Sequence, residues 1–199
     1  MVYLKTTPYT TAATSLMNVF NKKIEGYKAT QQEEFSIWQR SVALPTRASS
    51  IFGLALIAKE KGLNPTIYAE GDEFDFPDYR FHRYKKSDIE FAQISSDLYK
   101  QECLKKKIPI NIEDISFEKI KELLKTNYLI VRINTKFIRD LKRNNSNYLL
   151  FEKYENNVFR IIDPKQGELD VDEKTALQSY ISLETKKHRL HKVLCISKK

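Results

Sequence analysis

The sequence predicts an α+β domain in which helices come first along the chain and an antiparallel sheet follows. Apolar residues recur at helical spacing in the first third, whereas the last third holds two short strand-like runs joined by a tight turn. This order is typical of the α+β class. The 199 residues contain no repeat and no linker, which predicts a single domain, 1–199. Its parts are expected at about 8–62 (helical), 63–127 (mixed) and 128–199 (antiparallel sheet).

Three helices are predicted in the first part. The first spans about 10–19 and begins at a threonine, which can cap it. The second begins at 30–33, where the run Thr-Gln-Gln-Glu matches a capping box. The third spans 51–61 and ends at Gly62, a residue typical of helix C-termini. Ahead of them, alternating apolar and polar residues at 2–6 predict a short strand.

The middle part is predicted to alternate strands with helices. In chain order these are a strand at 66–69, a helix at 87–106, a strand at 108–112, a helix at 117–125 and a buried strand at 128–133. An acidic stretch at 70–78 precedes the long helix, and a solvated loop is the interpretation that we favour for it. The long helix is expected to turn Ala92, Ile94 and Leu98 towards the core.

A β-hairpin opens the last part. Its strands are predicted at 148–152 and 158–162, and Asn156 and Asn157 suit the turn because asparagine tolerates positive φ. Gly167 is assigned to the turn that follows. A short helix around 173–180 and a final strand at 193–197 complete the chain, in the expected antiparallel arrangement.

Composition excludes several classes of protein. No apolar run approaches the ~20 residues of a membrane helix, so no membrane partner is expected. Two cysteines, Cys103 and Cys195, cannot form a disulfide scaffold and favour a reducing, cytoplasmic location. Both lie among inward-facing residues and are predicted to be small buried hydrophobes. The net charge of +8 admits a nucleic-acid partner, but the basic residues are dispersed and no nucleic-acid motif accompanies them.

Motifs for cofactors and metals are absent from the sequence, and neither kind of ligand is expected. No glycine-rich phosphate loop occurs. His188 and His191 stand near Cys195, but surface histidines are the favoured interpretation over a metal site. His82 has no evident partner.

Four segments, in order, resemble one family. They are KTTPYTTAATSLM at 5–17, EEFSIWQR at 33–40, FGLALIA at 52–58, and the strand pair NYLL at 147–150 with VFRIIDP at 158–164. This series is similar to bacteriocin-processing, double-glycine leader peptidases, which are papain-like cysteine peptidases. The resemblance covers most of the chain. It implies a papain-like fold with N-terminal helices packed on a C-terminal antiparallel sheet.

The resemblance also implies a changed catalytic site. The family's cysteine position, in its TCGPA-like pattern, falls on Thr11, its histidine position on Asn147 and its oxyanion glutamine on Lys5. Only Asp163, in the Asp-Pro dipeptide, matches. A threonine hydroxyl without a base is a poor nucleophile, and an asparagine cannot take up a proton near neutral pH.

The leading hypothesis is therefore a peptidase-like protein without conventional activity, a pseudopeptidase that binds or regulates a peptide or protein. In that reading Thr11, Asn147, Tyr148 and Lys5 contact the ligand. One alternative is an enzyme of altered chemistry in the same cleft, with Thr11 or a residue outside the motif acting and Asp163 as base or orienter. The other is a basic nucleic-acid-binding protein. A purely structural explanation also stays open, in which Thr11 caps a helix and Asn147 belongs to a turn.

Overall fold

The structure is a computed structural model that describes residues 1–75 and 84–198. Its helices and strands, in chain order, are α1 Thr11–Lys23, α2 Gln31–Ser41, α3 Ile51–Glu60, β1 Pro65–Ala69, α4 Lys86–Lys105, β2 Ile110–Ile112, α5 Phe117–Leu124, β3 Asn127–Asn134, β4 Ser146–Glu155, β5 Val158–Asp163, β6 Gly167–Asp172, α6 Glu173–Lys187 and β7 Lys192–Ser197. The α+β class predicted from the sequence is confirmed.

One mixed sheet runs through the molecule in the order β2-β1-β7-β3-β4-β5-β6. Strands β1 and β2 are parallel to each other, and the other neighbours pair antiparallel. The sheet therefore extends beyond the antiparallel set expected at 128–199, because two strands from the middle of the chain join its edge next to β7.

The sheet separates two hydrophobic cores. Leu150 of β4 packs with α1 and α3 on one face, whereas Leu149 and Phe151 pack with α5 and α6 on the other. Neighbouring side chains of a strand point to opposite faces, so a continuous apolar run serves a sheet covered on both sides. Helix α1 is fixed beside β4, where Ser15 Oγ donates to the Tyr148 carbonyl at 2.9 Å.

The predicted strand at 2–6 is wrong, because this segment forms no ladder in the structure. Its backbone is bound by side chains instead. The Tyr3 N–H donates to Asn18 Oδ1 at 2.8 Å, and the Thr6 N–H donates to Glu34 Oε1 at 3.0 Å. Between these two residues, the Lys5 N–H donates to the carbonyl of Pro164 at 2.8 Å, which ties the segment to the end of β5.

Helix α4 begins at Lys86, one residue before the predicted start, and buries a different face from the predicted one. Asp88 accepts from the Lys85 N–H at 2.7 Å at its first turn. Ala92 is buried as expected, whereas Ile94 and Leu98 are 57% and 61% exposed, so the prediction for these two was wrong. The helix packs on α3 through a face of small and polar residues that includes Ala92 and Ser96. The Ser96 hydroxyl lies 2.9 Å from the hydroxyl of Ser50, which precedes α3.

The C-terminal hairpin has the predicted turn, with φ of 50° at Asn156 and 60° at Asn157. The sequence missed β6. Gly167, assigned to the turn, is the first residue of this strand and has a φ of 91°, after which β6 pairs with β5 along its length. Charged residues alternate with apolar ones in β6, as suits the exposed edge of a sheet.

Candidate functional site

Thr11 is the first residue of α1 and is buried, with 3% of its surface exposed. It does not cap the helix. The N-cap residue is Thr10, which makes no side-chain capping bond, and its hydroxyl donates to Glu34 instead. Thr11 Oγ1 accepts a hydrogen bond from Lys5 Nζ at 3.1 Å. The two residues to which the resemblance assigns the nucleophile and oxyanion positions are thus in direct contact.

A buried carboxylate holds the N-terminal segment over Thr11. Glu34 of α2 is fully buried and accepts from Tyr3 Oη at 2.9 Å, from the Thr6 N–H at 3.0 Å and from Thr6 Oγ1 at 2.9 Å, as well as from Thr10. These bonds come from both sides of Lys5. They fix the backbone from which the lysine reaches Thr11.

Lys5 lies in an unusual electrostatic setting. Burial lowers its pKa below the ordinary lysine range, and the neighbouring Arg139 lowers it further, whereas Asp163 opposes both effects. Lys5 Nζ also donates to the Pro8 carbonyl at 3.1 Å. The ammonium is therefore less favoured here than on the surface of the protein.

Asp163 ends β5 and is fully buried. Arg139 donates to both of its oxygens, from Nε to Oδ2 at 2.6 Å and from Nη2 to Oδ1 at 2.8 Å. The Lys165 N–H donates to Oδ1 at 2.7 Å. Because both oxygens are occupied, Asp163 is held in a bidentate ion pair and does not present a free base.

A small cavity of about 80 Å³ lies beside the start of α1. Thr11, Asn147 and Tyr148 line it, so the structure brings three of the predicted site residues to one place. Asn147 belongs to β4 rather than to a turn, and its Nδ2 lies 3.5 Å from Thr135 Oγ1. Lys5 contacts Thr11 but does not line the cavity, and neither does Asp163.

The sequence missed two charged residues of this cavity, Asp75 and Arg132. Their side chains are 12% and 8% exposed and form an ion pair between Arg132 Nη2 and Asp75 Oδ2. The pair also binds the backbone of Leu190, whose carbonyl accepts from Arg132 Nε at 3.1 Å and whose N–H donates to Asp75 Oδ2 at 2.6 Å. An arginine inside the apolar run YLIVRIN of β3 was the available signal, since a buried charge requires a partner.

A family model described as "Peptidase_C39 like family" matches residues 1–199, the whole chain. The chain belongs to the Peptidase_C39-like family. No curated protein matches it. Among solved structures it is similar to a double glycine motif protease from an AMS/PCAT transporter, crystallised with the leader peptide, at 11% identity and a TM-score of 0.46. That alignment covers 99% of this chain and 91% of the other.

Both cysteines of this Peptidase_C39-like chain lie away from the cavity. Cys103 is in α4 and Cys195 in β7, and both are buried and free of disulfides, as predicted. Burial raises the pKa of each thiol to about 12. Neither thiol carries the thiolate character that a nucleophile needs near neutral pH.

The histidines differ in environment. His188 is exposed and ends α6 with a φ of 51°. His191 is only 3% exposed, so the expectation of a surface residue was wrong for it. Its Nδ1 lies 2.8 Å from Glu70 Oε1, and its ring stacks on Tyr180 at 3.7 Å between centroids. His82 and Asp78 lie outside the described residues.

The acidic stretch is not a freely solvated loop where the structure describes it. Glu70 is bound to His191, and Asp75 forms an ion pair with Arg132. Within residues 1–75 and 84–198, no group of three or more His, Cys, Asp or Glu side chains is arranged to hold a metal ion. In the same ranges, no helix has the length and apolar character required to cross a bilayer.

Proposed function

We propose that this Peptidase_C39-like protein is a pseudopeptidase that binds a peptide or protein segment at the cavity beside α1. One observation carries the proposal: Thr11, Asn147 and Tyr148 line the same cavity. The positions that the resemblance assigns to nucleophile and base thus form one concave surface but offer a hydroxyl and an amide. Such groups bind through hydrogen bonds without performing the acyl transfer of a thiolate–imidazole pair.

The contacts around the cavity support a lack of conventional peptidase activity. The Thr11 hydroxyl is bonded to Lys5, and the Asp163 carboxylate is occupied by Arg139. His191 is committed to Glu70. Loss of triad members elsewhere lowers rates by several powers of ten.

Isothermal titration of the protein against peptide libraries tests this function. Lys5 adds a cation beside Thr11, which suits an anionic group such as a C-terminal carboxylate. We expect Lys5→Ala to weaken the binding of such peptides, whereas Lys86→Ala, which removes an exposed lysine of α4, should leave it unchanged. An absence of peptide binding that depends on Lys5 contradicts the proposal.

A specific contact favours a second candidate, an enzyme of altered chemistry. Lys5 Nζ lies 3.1 Å from Thr11 Oγ1, and its pKa is lowered by burial, as a lysine base would require. An activity-based probe for hydroxyl nucleophiles would label Thr11 in this case, and Thr11→Val would abolish the labelling. A protein that stays unlabelled under conditions that label a serine hydrolase contradicts this candidate.

The basic net charge supports the remaining alternative, nucleic-acid binding. Its signature is an affinity that falls steeply with salt, by about one unit of log–log slope for each phosphate neutralised. Titration with DNA and RNA at several salt concentrations tests it, and binding that is absent or insensitive to salt would exclude it.

We also propose that 1–199 is a single cytoplasmic domain. Both hydrophobic cores share one sheet, which favours unfolding as a unit. Two buried, unpaired thiols suit a reducing compartment. Coincident denaturation curves from circular dichroism and from Trp38 fluorescence would support a single unit, and separate transitions would contradict it.

A further inference from the structure

His191, the residue before β7, is a buried titratable group that does not line the cavity. Its side chain is 4% exposed, and each ring nitrogen lies within hydrogen-bond distance of an oxygen. Nδ1 lies 2.8 Å and 2.9 Å from the two oxygens of Glu70, and Nε2 lies 3.1 Å from the Tyr180 carbonyl oxygen. The ring thus joins the end of β1 to helix α6.

These partners decide where the ring carries protons. A backbone carbonyl only accepts hydrogen bonds, so Nε2 must donate to the Tyr180 oxygen. A neutral ring would then have a bare Nδ1, whose lone pair would face the Glu70 carboxylate at 2.8 Å. Two acceptors at this distance repel each other. Either Glu70 or the ring must therefore carry an additional proton.

Glu70 is the less favourable place for that proton. Its Oε2 accepts from the His191 N–H at 2.6 Å, and its Oε1 accepts from the Ile115 N–H at 3.4 Å. Burial raises the pKa of Glu70, but the bonds from the His191 ring and from these two backbone groups outweigh it, so the pKa lies below the ordinary glutamate range. Glu70 is thus a carboxylate, and the ring carries protons on both nitrogens.

The surroundings of the ring suit a cation. Tyr180 stacks on it with 3.7 Å between the ring centroids and 12° between the planes, which is close enough for a cation–π interaction. Glu184, one turn further along α6, adds a negative charge near Tyr180. The neighbouring Lys192 donates to the Glu73 carbonyl and so does not compete for Glu70. These groups stabilise a positive charge on the ring.

The contacts of His191 extend to the wall of the cavity through the preceding residue, Leu190. The Leu190 N–H donates to Asp75 Oδ2 at 2.6 Å, and its carbonyl accepts from Arg132 Nε at 3.1 Å. Asp75 and Arg132 both line the cavity. Because Leu190 is joined to His191 by a peptide bond, a ring that is fixed on both sides limits the movement of Leu190.

We propose that His191 is held as an imidazolium and acts as a charged clamp for the cavity wall. Its second proton joins the end of β1 to α6, and this junction fixes the backbone of Leu190, to which Asp75 and Arg132 are bonded. His191 is in this sense a positioning residue. The clamp acts on the wall of the cavity and does not depend on what the cavity binds.

Nitrogen spectra of the ring test the proposal on the full chain. In long-range ¹H–¹⁵N spectra, a protonated ring nitrogen and a bare one have clearly different shifts. At about pH 7.5 free histidine is mostly neutral, because it titrates near pH 6.5. We expect both nitrogens of His191, identified by nuclear Overhauser contacts with the Tyr180 ring, to be protonated at this pH. A bare nitrogen on His191 overturns the proposal.

Two matched variants test the cause of the charge. Glu70→Gln keeps the size of the side chain and an acceptor oxygen but removes the negative charge, so we expect one nitrogen of His191 to become bare at the same pH. Glu184→Gln removes a carboxylate of α6 that does not bond to the ring, and both nitrogens should stay protonated. A ring that keeps both protons in Glu70→Gln, or that loses one in both variants, contradicts the assignment.

The Nε–H signal of Arg132 reports the effect on the wall, since this group donates to the backbone carbonyl that the clamp fixes. His191→Phe keeps an aromatic ring but removes both donors, and we expect it to shift this signal. His188→Asn is the control, because His188 is exposed and asparagine tolerates its φ of 51°. Where His191→Phe does not fold, Glu70→Gln provides the measurement, with a smaller shift. An unchanged Arg132 signal in the folded variants overturns the clamp, even when the ring carries two protons.

Discussion

Lys5 donates to Thr11 across 3.1 Å, and this contact joins the two residues to which the sequence resemblance assigns the family's oxyanion glutamine and its cysteine. A lysine can neutralise a nearby anion, but in its charged form it does not accept the proton of a hydroxyl. The contact therefore occupies Thr11 as an acceptor. The charged lysine therefore suits a binding site. The lowered pKa of Lys5 favours the neutral amine, which is the form that could accept the proton of the Thr11 hydroxyl.

Introducing the residues that the resemblance assigns to positions 11 and 147 should create thiol reactivity. We expect the double variant Thr11→Cys/Asn147→His to react with iodoacetamide at the introduced thiol faster than Thr11→Cys alone, because a neighbouring imidazole favours the thiolate. Mass spectrometry of digested protein locates the label. Cys103 and Cys195 are internal controls and should stay unlabelled, since burial raises the pKa of both. A folded double variant no more reactive than the single variant would show that positions 11 and 147 do not form a pair.

Glu34→Gln should destabilise the protein by about 1–3 kcal/mol, because an amide cannot accept all of the bonds that the carboxylate receives from Tyr3, Thr6 and Thr10. Urea denaturation measures the loss. Glu33→Gln is the control. The Glu33 carboxylate makes a partly exposed ion pair with Lys61, and its loss should cost less than about 1 kcal/mol. Equal effects for the two variants would remove Glu34 as the anchor of the N-terminal segment.

Breaking the buried pair of Asp163 and Arg139 should cost about 3–5 kcal/mol, since either partner alone leaves an uncompensated charge. Asp163→Asn and Arg139→Met should each approach this figure in denaturant unfolding. The double variant should lose much less than the sum of the two, because it removes both charges. Additive losses would mean that the two side chains do not act as a pair in solution.

Lys192 should make the protein more stable as the pH rises from about 8 towards 10. Burial, with Arg132 adding to it, lowers the pKa of Lys192 in the folded protein to about 8, whereas an unfolded lysine titrates near 10.4. Between these values the unfolded chain binds more protons than the folded one, so the free energy of unfolding increases with pH. We expect Lys192→Met to flatten this rise in denaturation curves between pH 8 and 10. An unchanged slope in a folded variant would contradict the lowered pKa.

Local rules accounted for much of the fold. The Thr30 N-cap of α2 and the Asn156–Asn157 turn are set by a few neighbouring residues, and both were predictable. The exposed Ile94 and Leu98 were not, because the face that α4 buries is chosen by its contact with α3. Similarly, β6 forms because it pairs with the edge of β5, and the local sequence does not show that this edge is available.

The site was predictable only where a resemblance pointed to it. Thr11, Asn147 and Tyr148 came from the ordered family segments and line one cavity. Asp75 and Arg132 are 57 residues apart in the sequence, and their ion pair arises from tertiary contacts alone. The sequence predicted that Asp75 belongs to a solvated acidic loop, because its partner Arg132 lies far away in the sequence, in β3.

The cavity beside α1 is assembled from distant pieces of chain: the start of α1, the loop before α3, the loop after β1, strands β3 and β4, and the loop before β7. None of these pieces holds the site alone, so the cavity exists only in the folded protein. A compound that fills it must then bind the native state and not the unfolded chain, and by mass action it raises the melting temperature as its concentration increases. Thermal melting is thus a screen for compounds that bind the cavity, and it needs no assumption about catalysis.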